Sequence, residues 1–299
     1  MNGIVLLNKP SDFTSFDAVA KMRGILKFRK VGHGGTLDPM AQGVLPILLG
    51  PATRVCDIVP ESSKRYRAVM RLGISTDTQD ITGNIVKTAS VTVGEKEVRE
   101  ILPRFTGNIL QTPPMYSAVQ VGGKRLYDLA RKGIDVERPA RSIEILSLEL
   151  VKALPQKNEY ILDVACSKGS YIRTLCSDIG DALGCGATLT ALTRTEAFGF
   201  SLADCFTFAD FEKMAAEGTL ERAVISVDSL FLSSPAYFLS DADARLHING
   251  VPIYASRLSA LPDTDDFIRI YGYGKFLSLS KLDREAGQLK VVKFFFTRD

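Results

Sequence analysis

Apolar positions near the start of the chain change their spacing from one segment to the next, and each spacing predicts an element. GIVLLN (3–8) is a short apolar run that reads as a strand. TSFDAVAKMRGILKF (14–28) takes helical spacing, with Thr14 or Ser15 as cap and Phe16, Val19, Ala20 and Leu26 expected on one inward face. After a glycine-rich stretch, VLPILLG (44–50) is apolar enough to be buried. KRYRAVMRLG (64–73) then alternates: Tyr66, Ala68, Met70 and Leu72 point one way, and Arg65, Arg67 and Arg71 with Val69 the other.

Further on, EYILDVACSKGSYIRTLCSDIGDALG (159–184) reads as strand, turn and helix, with Ser170 as cap and Ile172, Leu175, Ile179 and Leu183 as the buried stripe. Arg173 falls in the first helical turn, where the helix dipole favours anions, so a carboxylate or phosphate partner is expected beside it. Segment 111–141 opens on two prolines and carries six basic residues, with Tyr116 and Tyr127 interleaved, as a nucleic-acid clamp would. Beyond about residue 234, short alternating strands joined by a DREAGQ turn suggest a small β barrel.

Composition sets the bounds. With 299 residues, 45% hydrophobic and 24% charged, the chain can bury a sizeable core in one large and one small domain. The five cysteines form no C-x-x-C pair and His33 lies far from His247, so no metal site is expected. No apolar stretch reaches spanning length and no basic leader is seen, so the expectation is a cytoplasmic protein without membrane contact. The net charge of +3 hides an asymmetry: residues 21–30 carry five basic residues and no acid, whereas 204–266 carry eleven acids against four bases. An N-terminal face suited to phosphates follows from that distribution.

The candidate chemistry centres on GHGGTLDPMAQG (32–43). Pro39 pushes Asp38 toward extended backbone, while the surrounding glycines admit positive φ and close approach of another chain, so the carboxylate is aimed. Neither histidine lies near a G-x-S-x-G elbow, which argues against a hydrolase triad. GHGGTLD lacks the G-K-[ST] ending of a phosphate loop. STDTQDITGN (75–84) lacks the acidic spacing of a calcium loop and reads as a polar turn.

Taken together, LLNKPSDFTS, GHGGTLDPMAQGVLPILLG, KRYRAVMRLGISTDTQDITG, PPMYSAVQVGGKRLYDLARKGI, CSKGSYIRTLCSDIGDALGCGA and LTRTEAFGF resemble the bacterial TruB-type tRNA pseudouridine-55 synthases over nearly the whole chain. The resemblance implies an α+β pseudouridine synthase fold with a mixed, mainly antiparallel sheet over 1–234, an RNA-clamping insertion at about 111–141, and a PUA-like RNA-binding β domain over 235–299. It implies a cofactor-free isomerisation of uridine in the T-arm stem–loop of tRNA, by a monomer needing no protein partner. Asp38 matches the catalytic aspartate, Tyr66 the tyrosine that stacks on the flipped base, and Arg173 the arginine paired with the aspartate. Leu192 matches a leucine packing near the base and His33 a histidine associated with displaced RNA bases. Lys9, Lys64 and Tyr171 complete the expected substrate contacts, Lys9 in a conformational or phosphate-contacting role. SDF after K-P and the second glycine of GHGG depart from the family pattern without touching a catalytic position. An RNA-binding or folding-assistance protein without turnover is the rival of another class.

Overall fold

The computed structural model describes residues 1–60, 63–117 and 119–297. The chain begins β1 (Gly3–Lys9), α1 (Ser15–Leu26), β2 (Val31–His33), β3 (Gln42–Leu49), β4 (Lys64–Leu72), β5 (Ile74–Thr76) and β6 (Ile85–Thr88). It continues α2 (Glu95–Ile101), β7 (Gly107–Gln111), β8 (Gln120–Val121), β9 (Lys124–Arg125), α3 (Leu126–Ala130), β10 (Arg141–Leu154), β11 (Glu159–Cys166) and α4 (Ile172–Ala182). Then come β12 (Ala187–Ala197), β13 (Phe200–Ser201), α5 (Phe208–Glu217), β14 (Ala236–Phe238), α6 (Asp241–Ile248), β15 (Ile253–Tyr254), β16 (Ile268–Gly272), β17 (Lys275–Asp283) and β18 (Gln288–Phe294).

A nine-stranded sheet runs β1-β3-β12-β4-β11-β10-β7, with β2 on β3 and β13 on β12. Its pairings are antiparallel except the short β3–β12 contact. The architecture is therefore α+β with a mixed, mainly antiparallel sheet. β4 alternates as its sequence dictates: Tyr66, Ala68, Met70 and Leu72 are buried in the main core, while Arg65 and Arg67 turn outward to Asp163 on β11. No helix among the described residues is long and apolar enough to cross a membrane.

Helix α1 departs from the expected face. Its cap is Thr14, whose hydroxyl accepts from the Asp17 amide at 3.0 Å while the Asp17 carboxylate accepts from the Thr14 amide at 3.0 Å. The inward stripe is Ser15, Ala18, Val19, Met22 and Leu26, which leaves Phe16 and Ala20 outside. The Ser15 hydroxyl decides this rotation by accepting from the Leu37 amide at 2.9 Å, which draws Ser15 inward and carries Phe16 about 100° round the helix. Helix α4 also starts one residue later than expected: Tyr171, not Ser170, is the N-cap, without a side-chain cap. The Gln111 side chain substitutes, accepting from the Tyr171 amide at 2.8 Å and donating to its carbonyl at 3.1 Å.

The five-stranded sheet β14-β16-β17-β18-β15 forms from 236 onward and has its own apolar cluster around Ile268, Ile270 and Leu277. A second buried cluster joins Leu279 of this sheet and Phe295 just after it to Ile4, Leu6 and Leu48 of the large one and Phe198 in the turn after β12. The C-terminal strands are thus packed into the body by shared core, so a chain cut at 234 would bare apolar surface.

On α6, His247 is buried with its Nε2 2.7 Å from the Ser278 hydroxyl of β17, and burial pushes its pKa down from 6.5 to about 4. The folded state therefore favours the neutral ring. Its contribution to stability is present above pH 6.5 and is lost as pH falls toward 4, amounting to about 3 kcal/mol at full protonation. Replacing His247 by glutamine should flatten that part of the thermal-stability profile between pH 7 and 4. An unchanged slope would refute the assignment.

Candidate active site

Asp38 lies in the loop between β2 and β3, and that loop is tied down on every side. The Pro39 carbonyl accepts from the Asp12 amide at 2.9 Å and from Lys9 Nζ at 3.2 Å. Lys9 also donates to the carbonyls of Pro10 at 2.8 Å and Phe13 at 2.7 Å. Burial pushes its ammonium down to about 8. Fully buried and committed to three carbonyls, Lys9 holds the Asp-Pro turn.

A second buried cation, Arg194 on β12, braces the other end of the loop. Its Nε donates to the Val44 carbonyl at 2.7 Å, Nη1 to Thr36 at 3.3 Å and Nη2 to Gly35 at 3.2 Å. Gly43, at φ +106°, lets β3 approach β12 so closely that a Cβ there would collide with the Arg194 carbonyl oxygen. Nothing in LTRTEAF separates Arg194 from a surface arginine, so sequence reasoning missed it.

Arg173 reaches the loop from the first turn of α4. Its Nη2 donates to Asp38 Oδ1 at 3.2 Å, and Nε faces Asp38 Oδ2 at 3.1 Å as an ion pair without hydrogen-bond alignment. The arginine side chain is 5% exposed and the aspartate 33%, so the charge pair is buried on the cation side and open on the carboxylate side. The remaining donors are fixed by backbone: Nη2 to the Tyr116 carbonyl at 2.8 Å and Nη1 to Thr78 at 3.4 Å. The expected carboxylate partner of Arg173 is therefore Asp38, and the insertion supplies Tyr116 to the same guanidinium.

A second carboxylate was not foreseen. Asp80, in the stretch read as a polar turn, is buried with Oδ2 3.6 Å from Arg173 Nη1, while its Oδ1 accepts from the Thr82 hydroxyl at 2.5 Å and the Thr78 hydroxyl at 3.0 Å. The turn does exist; its direction into the core was the missing information. Burial pushes the Asp38 carboxyl above its ordinary value, with Asp80 adding to the rise and Arg173 and Lys9 opposing it. The acid limb of any reaction requiring ionised Asp38 accordingly lies above the ordinary carboxylate range. Asp80→Asn should move that limb to lower pH, measurable in a kcat/KM profile; a limb moved upward would show that Asp80 acts only by holding Arg173.

Tyr66 and Leu192 share the buried face over this loop, since Leu192 pairs with Ala68 and Arg194 with Tyr66 across β12 and β4. Burial raises the Tyr66 hydroxyl pKa, so it is a neutral phenol at physiological pH. His33 is half-buried at the end of β2, and burial together with Arg194 lowers its pKa, leaving a neutral imidazole. Lys64, at the start of β4, passes close to Gly35, whose Cβ would lie 3.4 Å from Lys64 Cε. Tyr171, two residues before Arg173, is placed by Gln111. Within the expected basic face, Lys21 pairs with Glu212 at 3.1 Å, and Arg23 keeps its charge while donating to the Val31 carbonyl at 2.9 Å. Lys27, Arg29 and Lys30 remain exposed.

Comparison with known proteins places this geometry. Residues 23–172 match the TruB family pseudouridylate synthase N-terminal domain, and 173–232 match the tRNA pseudouridylate synthase B C-terminal domain. A tRNA pseudouridine synthase B of Clostridium kluyveri is 42% identical over 99% of this chain and all of its own length. One of Geobacillus thermodenitrificans is 44% identical, covering 84% of this chain and 85% of the relative. Among solved structures, a chain of a Cbf5-Nop10-Gar1 complex superposes with a TM-score of 0.73 at 25% identity, covering 99% of this chain and 86% of that one. The sheet that carries Tyr66 and Leu192 is thus that of the pseudouridine synthase fold, and this chain belongs to the TruB family of pseudouridylate synthases.

Proposed function

We propose that this chain, acting as a monomer without cofactor, converts uridine 55 in the T-loop of tRNA to pseudouridine, with Asp38 as the carboxylate that acts at the ribose. Family membership makes it an isomerase that forms pseudouridine in tRNA. The observation that carries the finer reading is the one-sided burial of the Asp38–Arg173 pair: the guanidinium is sealed in, a third of the carboxylate is exposed, and its charge acts on Tyr66, whose face of the sheet also carries Leu192. A T-loop base must leave its stack to reach such a group, and an aromatic ring next to it suits a flipped base.

The chemistry needs little else. The C1′–N1 bond breaks with its electron pair going to the uracil. Asp38 either forms a bond to C1′ or takes a proton from the sugar, and both routes need it ionised. The uracil turns, C5 bonds to C1′ as the sugar is released from Asp38 or regains its proton, and the C5 proton leaves. Tyr66 stacks on the base and assists that last proton transfer, and His33, Lys64, Leu192 and Tyr171 contact the displaced nucleotides. The full-length relatives named tRNA pseudouridine synthase B favour this over a binding protein without turnover.

Tritium at uridine C5 gives the test. The chain alone should release it from an unmodified tRNA transcript and from an isolated T-arm stem–loop, and lose that release when uridine 55 is replaced by cytidine. Release that persists with the cytidine transcript would refute the position, and none from either RNA would refute the reading.

A further inference from the structure

We propose that Phe16 is an RNA-contacting residue whose ring stacks on an unpaired base of the tRNA loop. The inference rests on tRNA being the substrate and adds a contact to that reading. A lone exposed phenylalanine needs no explanation by itself. This one is 67% exposed, and its place in the fold is what singles it out. Its neighbour Ser15 exchanges two hydrogen bonds with the backbone of Leu37, at 2.9 and 3.2 Å, so Phe16 is held in fixed relation to the residue before Asp38.

The ring also meets His33, centroid to centroid at 5.5 Å and at 89°. Edge-to-face contact covers one edge or one face, and the exposure of Phe16 shows that most of its ring stays open. The His33 pKa is lowered, so the pair is an uncharged aromatic step, suited to a nucleobase and unsuited to a phosphate. The phosphates have their own counterparts in the exposed Lys27, Arg29 and Lys30, on the segment leading into β2 and His33. An aromatic step whose His33 is joined through β2 to a run of cations matches one occupant, a single-stranded segment of nucleic acid with one base on the ring and its backbone phosphates along the cations.

The two kinds of contact differ in salt dependence, which makes the assignment testable. Stacking gives affinity independent of counterion release, whereas each phosphate contact adds about one to the slope of log Kd against log salt. Full-length Phe16→Ala should keep the parent melting temperature, weaken binding to an unmodified tRNA transcript about tenfold or more at every salt concentration, and leave the slope unchanged. Phe16→Trp should restore binding, and Lys30→Ala should lower the slope instead. A transcript with 2-aminopurine in the T-loop should be quenched by the parent chain and by Phe16→Trp, and less by Phe16→Ala. Parent-like affinity and quenching in Phe16→Ala, or a changed slope, would overturn this contact while the parent enzyme's tritium release still upheld the function. A parent chain that neither bound nor modified the transcript would overturn both.

Discussion

Asp38→Asn should leave the chain folded and able to bind tRNA but abolish tritium release, a loss of at least about 10²–10⁴-fold, the range that a positioned proton-transfer group alone supplies. The amide keeps the shape of the side chain and can still accept from Arg173 Nη2, so the 3.2 Å contact survives in form. What disappears is the negative charge and with it both routes at the sugar. The loop does not depend on that charge, because Pro39 is held by Asp12 and Lys9, and Gly35 and Thr36 by Arg194. Single-turnover tritium release, run beside a binding isotherm, checks the outcome. Turnover near the parent rate would remove Asp38 from the mechanism.

Arg173→Ala has the second largest effect. Removing the guanidinium leaves Asp38 and the buried Asp80 facing one another without a cation, and breaking such a buried pair costs about 3–5 kcal/mol. That corresponds to roughly 10²-fold to several 10³-fold in kcat/KM if the whole loss falls on the transition state. Arg173 opposes the rise in the Asp38 pKa, so the acid limb of the variant moves to higher pH. It also frees the carbonyls of Tyr116 and Thr78, so part of the loss appears in stability. Arg71→Ala, on the opposite face of β4 from Tyr66, should stay within about 0.5 kcal/mol. Equal mild effects from both arginines would show that Arg173 is an ordinary cation.

Strand β4 and the need of Arg173 for an anion were legible in the sequence because each carries a local physical signature, whereas Asp38 as that anion came from the family resemblance. Alternation in KRYRAVMRL fixes which side of β4 is buried, and an arginine in the first turn of a helix demands an anion. Asp80 and Arg194 carry no such signature. Their roles depend on where a turn and a strand sit relative to Arg173 and to the Gly35–Thr36 backbone, and chain-distant contacts of that kind leave no periodic trace. Phe16 failed for a related reason. Helical spacing alone allows more than one inward face, and the hydrogen bond between Ser15 and Leu37, 22 residues away, chooses among them. A change of pattern near 234 was visible ahead of the second sheet, whereas the cluster joining Phe295 and Leu279 to Ile4 and Leu48 needed both sheets in place.

The central claim, that Asp38 isomerises one uridine in the tRNA T-loop, is tested most directly by mapping pseudouridine at single-nucleotide resolution in a defined transcript. The chain should be incubated alone with the RNA, parent and Asp38→Asn side by side. Pseudouridine should form at position 55 and at no other uridine with the parent, and at none with the variant. Pseudouridine at another position, or at position 55 with Asp38→Asn, would contradict it.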